Sequence, residues 1–382
     1  MKKILIVHNK YSDLGGEDIA VEREINLLNK SYDLKLLFFE NSLKDFLFTF
    51  LSLFNNKNYK SIKLLKEQIE SHNPDTIYFH NTWFKGSVGL IKFSLDNNYN
   101  TLIKLHNFRY FCTRSTFSKN HLNKQSYCGA CGLKMSEVGI FNKYFKTSFL
   151  KSIFVIRYGV SYFKLIKNEN VKLLVLTYFH KEFLLNLGFS ENNIYIVRNS
   201  LSQQLPEIVK KKKEMITYAG RVSVEKGVEE IINSFLKSNL DNFTLNIIGD
   251  GPSKSFLQKK YNFKNIQFFG ELPNIETLEI INNSIAVITG TKLYEGQPTL
   301  LTEASFLKVV SIFPKLGGIE EFFPKNYELA FESNNEADLI AKINKIKDYK
   351  FINSIKNENY LHITKLLDDK KLMEKYMDLI NG

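Results

Sequence analysis

The chain has 382 residues, more than one ordinary domain needs and enough for two, each with its own core. With 44% apolar and 24% charged residues the composition excludes disorder, and three cysteines exclude a disulfide framework and point to a reducing, cytoplasmic compartment. The net charge of +12 asks for an anionic partner, whether nucleotide phosphates, nucleic acid or an anionic bilayer, and does not choose among them.

No run of about 18 apolar residues is present, and the opening stretch breaks off too soon for a signal peptide. Ile4 to Val7 reads instead as a buried strand. It leads into "HNKYSDLGGEDIAVERE", where Gly15 and Gly16 precede a helix opening with Glu17 and Asp18. Glycines there let the backbone approach a phosphate or a sugar at a helix N-terminus, although an ordinary strand-to-helix turn has the same appearance. The stretch from Ser42 to Asn56 is apolar nearly all round and too short to span a bilayer; it reads as a buried helix in preference to one that dips into a membrane. Further strands, "TIYFH" and "NTLIKLH", end at His80 and His106. A histidine such as His80 at a strand end is more often a capped structural residue than a catalytic one.

The next loop carries Cys112, His121, Cys128 and Cys131. These offer a tetrahedral zinc set, or reduced cysteines that only stabilise the loop. From Phe141 to Lys172, Lys and Arg alternate with Phe, Tyr and Ile with almost no acids. Such a helix can rest its apolar side in a lipid interface and its cations on headgroups, or pack as an amphipathic helix on the core.

After "NIYIVRNS" comes a polar, lysine-rich stretch, Leu201 to Glu214, and a fresh strand opens at Met215. Strands alternating with helices predict parallel sheets buried on both faces, and the restart predicts two doubly wound α/β domains, 1–200 and 215–359, joined by a linker at 201–214. Ligands of such folds bind at the carboxyl ends of the strands, and two facing domains form a cleft there.

Three motifs of the second domain fall at such strand ends. "YAGRVSVEKG" puts Arg221 after a strand and Lys226 beside Gly227 where a helix begins, which suits a diphosphate, though solvated surface bases read the same way. "IIGDGP" offers Gly249 and Gly251 in a tight turn whose amides are able to line the cleft. "YEGQPTLLTEAS" follows another strand: Pro298 is placed to open a helix, the amides of Thr299 and Leu300 attract phosphate, and Glu295 and Glu303 are carboxylates able to grip paired hydroxyls.

Together these motifs resemble the retaining glycosyltransferases of the GT-B fold, in particular the large family four (glycosyltransferase group 1) that builds exopolysaccharide, capsule and lipopolysaccharide from nucleotide-sugars. The resemblance rests on Gly15-Gly16, "LHN" with His106, Arg221 and Lys226, "IIGDGP", and above all on the two glutamates with seven residues between them in "EGQPTLLTE". It implies two Rossmann-like domains facing a cleft, with the C-terminal helix in 360–382 packing back on the first, acceptor-side domain. Arg221 and Lys226 are then expected to hold the donor diphosphate, together with Gly249, Gly251, Gly296, Pro298, Thr299 and Leu300. Glu303 holds the ribose, and Glu295 the donor sugar beside Thr289, Gly290 and Thr291. Gly15 and Gly16 lie near the diphosphate and acceptor, and His106 near the reacting carbon. The implied donor is UDP- or GDP-linked, the acceptor a glycan or lipid-linked glycan, and no metal cofactor is required. The expected location is the cytoplasm, peripheral to the membrane. The rival readings are a nucleotide-sugar epimerase or hydrolase of the same fold and a basic nucleic-acid-binding module. The second lacks any stacking motif or Arg-rich stripe, and no nucleic-acid partner is expected.

Overall fold

The computed structural model describes residues 1–10, 16–40, 57–83, 85–111, 149–201 and 205–381. Gly15, the apolar stretch 42–56, Cys112, His121, Cys128, Cys131 and the first part of the basic-aromatic stretch, 141–148, lie outside the described residues. The chain divides into two compact units, Met1–Ser202 with Asp369–Gly382, and Gln203–Asp368.

The first unit runs β1 (Lys3–Lys10), α1 (Gly16–Leu28), β2 (Asp33–Glu40), α2 (Tyr59–His72), β3 (Thr76–Phe79), α3 (Val88–Asp96), β4 (Asn100–Lys104), α4 (Phe149–Ile166), β5 (Val171–Val175), α5 (Tyr178–Asn186) and β6 (Ile194–Ile196). Its six strands pair in the order β2-β1-β3-β4-β5-β6, all in parallel. Ile4, Leu5, Ile6 and Val7 are fully buried, the mark of a central parallel strand covered on both faces.

The second unit repeats the plan with β7 (Lys213–Ala219), α6 (Val228–Leu236), β8 (Thr244–Ile248), α7 (Lys254–Lys260), β9 (Ile266–Gly270), α8 (Asn274–Asn283), β10 (Ser284–Ile288), α9 (Thr299–Phe306), β11 (Val310–Pro314), β12 (Ala330–Phe331), α10 (Glu336–Lys345) and α11 (Tyr349–Leu366). The strand order is β12-β11-β10-β7-β8-β9, again parallel. The first strand opens at Lys213, two residues before the apolar run that announces it. Several helix starts are written locally: the Asn335 side chain accepts from the Asp338 amide at 3.1 Å, and Asp348 accepts from Lys350 and Phe351, both at 3.0 Å, each satisfying amides that the helix cannot.

The last helix, α12 (Asp369–Asn381), returns to the first unit. Residues 360–382, which read as one amphipathic helix, are two: the part up to Leu366 belongs to α11, and Leu367 caps it. Leu372, Tyr376, Leu379 and Ile380, spaced along one helical face, bury themselves with Ile4, Ile6, Leu27, Leu102 and Leu174. The chain end thus completes the core of the chain start. Leu379→Ala is expected to destabilise the first unit by about 2–5 kcal/mol, the cost of a large-to-small change in a packed core. Urea denaturation followed by far-UV dichroism measures it, and a loss below about 1 kcal/mol would show that α12 contributes little to this core.

Candidate active site

In the second sheet the chain winds in opposite senses on the two sides of the β7/β10 pair, so the loops after these strands leave a crevice at their carboxyl ends. Arg221, Lys226, Thr291 and Glu295 all stand on these two loops. The Tyr218 hydroxyl donates to the Arg221 carbonyl at 2.8 Å, which fixes the backbone here. Its pKa is raised by burial first and then by Glu295 and Glu225. The Arg221 side chain is exposed. Lys226 ends a single 3-10 turn, Val224–Lys226, and its Nζ donates to Glu295 Oε1 at 2.5 Å. The Thr291 hydroxyl donates to the same oxygen at 3.0 Å. Lys226 and Glu295 keep 27% and 28% of their side-chain surface, so the pair is set but open to a ligand.

Glycines bring these loops together. A Cβ on Gly227 would lie 2.2 Å from the Gly290 carbonyl oxygen, and one on Gly249 would lie 2.0 Å from that of Gly220; no other residue fits such a backbone approach. Gly251 likewise lies against the Val222 carbonyl. Gly249 and Gly251, expected to line a binding cleft, therefore first serve to seat the loop after β8 against the loop after β7.

Helix α9 starts at Thr299 with Pro298 in the capping position, one residue later than the sequence suggested. No side chain among the described residues caps it, so its first amides, those of Thr299 and Leu300 among them, face a position where the helix dipole favours an anion. Glu303 lies one turn in and is 5% exposed. Gly296 is buried in the turn between Glu295 and Pro298.

In the first unit, His106 follows β4 and is half-buried. Its Nε2 is hydrogen-bonded to His80 Nδ1 at 2.9 Å, with the rings stacked at 5.2 Å between centroids. Both rings are held well below the usual histidine range, by burial first, with the neighbouring His8 and Lys104 adding to it for His80, and His80 and Lys104 for His106. His106 lines a small pocket with Glu17, Asn81, Trp83, Asn107 and Arg109. Arg109 stacks over Trp83 at 4.4 Å, and the Asn107 amide donates to Glu17 at 3.1 Å. Gly16 opens α1 beside Glu17; a Cβ there would meet nothing within 4 Å among the described residues.

Beneath the histidines lies a cluster the motifs did not reveal. Lys104 Nζ donates to Glu24 Oε2 at 2.6 Å and to the Tyr376 hydroxyl at 3.0 Å, while the Tyr78 and Tyr376 hydroxyls donate to Glu24 Oε1. The signal was available: a lysine inside the apolar strand "TLIKLH" must be buried with a carboxylate, and Glu24 sits on the inner face of α1. Burial pulls the Lys104 pKa down against the opposing pull of Glu24. Burial also pushes His180 down to about 3.

Three histidines of this unit are therefore neutral when folded. As pH falls below 6.5, the unfolded chain binds protons that the folded unit refuses, so stability falls with pH, by up to about 1.4 kcal/mol per pH unit for each ring. Urea midpoints measured at pH 7 and pH 5 are expected to drop accordingly, and equal midpoints would mean that the rings are solvated. Among the described residues, no group of three or more His, Cys, Asp or Glu is placed to hold a metal ion.

Residues 202–361 match the family model for glycosyl transferases group 1. The amylovoran biosynthesis glycosyltransferase AmsD of Erwinia amylovora is 27% identical over 175 residues, 43% of this chain and 49% of that protein. The O-antigen biosynthesis glycosyltransferase WbnH of Escherichia coli is 27% identical over 44% of this chain and 48% of that one. The chain thus spans about half the length of the curated relatives it matches. The Anabaena protein HepE, solved with UDP and glucose, superposes with a TM-score of 0.69 over the full length of both chains at 13% identity, a likeness of fold that identifies the two six-stranded units as the GT-B architecture.

Proposed function

With a second unit that is a group 1 glycosyltransferase domain as the premise, we propose that the chain is a retaining glycosyltransferase. It moves a sugar from a nucleotide-diphosphate-sugar to a glycan or lipid-linked glycan in cell-surface polysaccharide synthesis. The observation that carries this reading is the placement of Glu295 and Glu303 on either side of one uncapped helix start, with Lys226 held on Glu295. The names of the relatives, amylovoran and O-antigen glycosyltransferases, support the polysaccharide class, and the UDP complex of HepE supports a nucleotide-linked donor.

In this reading Arg221, Lys226 and the first amides of α9 bind the diphosphate, with the backbone at Gly249, Gly251, Gly296 and Pro298 shaping their loops. Glu303 binds the ribose hydroxyls, and Glu295 those of the donor sugar, using the Glu295 oxygen that Lys226 and Thr291 leave open. The acceptor-side roles go to the first unit, with Gly15 and Gly16 assigned to the diphosphate and acceptor and His106 to the donor sugar. The acceptor oxygen attacks the anomeric carbon on the face from which the diphosphate leaves. A carbon–oxygen bond forms as the sugar–phosphate bond breaks, and the acceptor's proton passes to a phosphate oxygen. Negative charge accumulates on the departing diphosphate, and preplaced cations stabilise it more than they stabilise the ground state. The reading assigns no metal to that charge. No helix among the described residues is long and apolar enough to cross a membrane, and we place the protein at the cytoplasmic bilayer surface through its positive charge.

Lys226→Ala is expected to lower turnover about 10²- to 10³-fold, the usual cost of deleting one transition-state donor, without loss of fold; full turnover in that variant would remove Lys226 from the mechanism. Thermal shift with UDP, GDP, ADP and CMP, with and without EDTA, tests the donor site. One diphosphate at about 1,000 times its Kd stabilises the chain by about 4 kcal/mol, survives EDTA, and loses its effect in Glu303→Ala. Stabilisation by none of them would take away the donor reading. Consumption of a nucleotide-sugar without acceptor would replace transfer by hydrolysis or epimerisation.

A further inference from the structure

His106 and His80 share one hydrogen bond, and the surroundings of the pair decide which ring gives the proton. Both rings are kept neutral by burial, so each carries one N–H. In the first arrangement His80 donates from Nδ1 to His106 Nε2, which leaves His80 Nε2 as a bare lone pair and puts the His106 proton on Nδ1. In the second, His106 donates from Nε2, which leaves His80 Nε2 as an N–H.

His80 Nε2 discriminates between them. The residue is 2% exposed and this nitrogen is buried with no hydrogen-bond partner among the described residues. The Tyr78 ring lies 4.4 Å away and the edge-on His8 ring 6.0 Å away, centroid to centroid. A buried N–H without an acceptor is rarer than an acceptor left unfilled. The tautomer of one histidine is set by the bond the other ring nitrogen makes, so the first arrangement propagates outward: His106 carries its proton on Nδ1, the nitrogen not tied to His80.

We infer that His80 is a positioning residue that fixes His106 as a hydrogen-bond donor through Nδ1–H at the pocket formed with Glu17, Asn81, Trp83, Asn107 and Arg109. The ligand atom it meets is an oxygen acceptor, a hydroxyl, carboxylate or phosphate oxygen, and His106 does not take a proton there. The identity of that ligand rests on the glycosyltransferase reading, in which the atom is an oxygen of the donor sugar or its acceptor. The tautomer itself rests on the buried pair alone. The Glu24–Lys104–Tyr78–Tyr376 cluster adjoins the pair: Lys104 adds to the lowering of both histidine pKa values, and the Tyr78 ring lies tilted against His80.

The test uses the full chain with nitrogen-15-labelled histidine, reading long-range nitrogen–proton correlations near neutral pH, with the His106→Gln spectrum identifying the His106 signals. The expected result is a protonated, pyrrole-type Nδ1 and a bare, pyridine-type Nε2 for His106. The reverse pattern, or an average of the two tautomers, overturns the inference. In His80→Phe the fixed pattern is expected to collapse to the averaging of a free imidazole, and its persistence would show that His80 does not hold it. His80→Gln keeps a donor at the site and is expected to keep the His106 pattern; loss of the pattern in a folded His80→Gln chain also counts against the assignment. None of these spectra needs a nucleotide-sugar. A failed transferase assay therefore leaves the tautomer assignment standing, and a wrong tautomer leaves the donor site of the second unit untouched.

Discussion

The buried ion pair between Glu24 and Lys104 constrains the whole first unit. A carboxylate and an ammonium that are both almost wholly buried are costly unless every lone pair and proton is used. Here one Glu24 oxygen takes Lys104 and the other takes two tyrosine hydroxyls. Those partners come from α1, β3, β4 and α12, so the charge is satisfied only when the first helix, two central strands and the last helix of the chain are all in place. The pair thereby requires a chain end far away in sequence to close the unit that the chain start opened.

The same cluster gives the histidine pair its setting. His80 follows β3 and His106 follows β4, neighbours in the sheet, and the residues just before them, Tyr78 and Lys104, belong to the ion-pair cluster. Any change that floods the cluster with water would hydrate the rings and release their tautomers. Stability and the chemistry of the small pocket are therefore linked through one set of buried polar contacts.

The second unit solves a different problem, that of bringing backbone segments of separate loops against one another. Its parallel sheet collects the loops after β7, β8 and β10 at one edge, and glycines at 227 and 249 let those loops meet at distances closed to any side chain. The result is a rigid seat that presents Lys226, Thr291 and Glu295 together. The transfer proposed above needs the charge on the leaving group to be met by groups already in place, and a seat of backbone-to-backbone contacts suits that demand.

Much of this was legible in the order of residues. Apolar runs alternating with helical periods announced two parallel α/β sheets, because a strand covered on both faces must be apolar throughout. Arg221, Lys226, Glu295 and Glu303 stood out because their motifs fall at the carboxyl ends of strands, where such folds bind ligands. The tertiary structure alone decided which glycines seat loops, where α11 ends and α12 turns back, and that Glu24, Lys104, Tyr78 and Tyr376 form one cluster. Those facts depend on contacts between residues up to 352 positions apart. Local pattern carries the period of a strand or helix but not the identity of the side chain that meets it across the core.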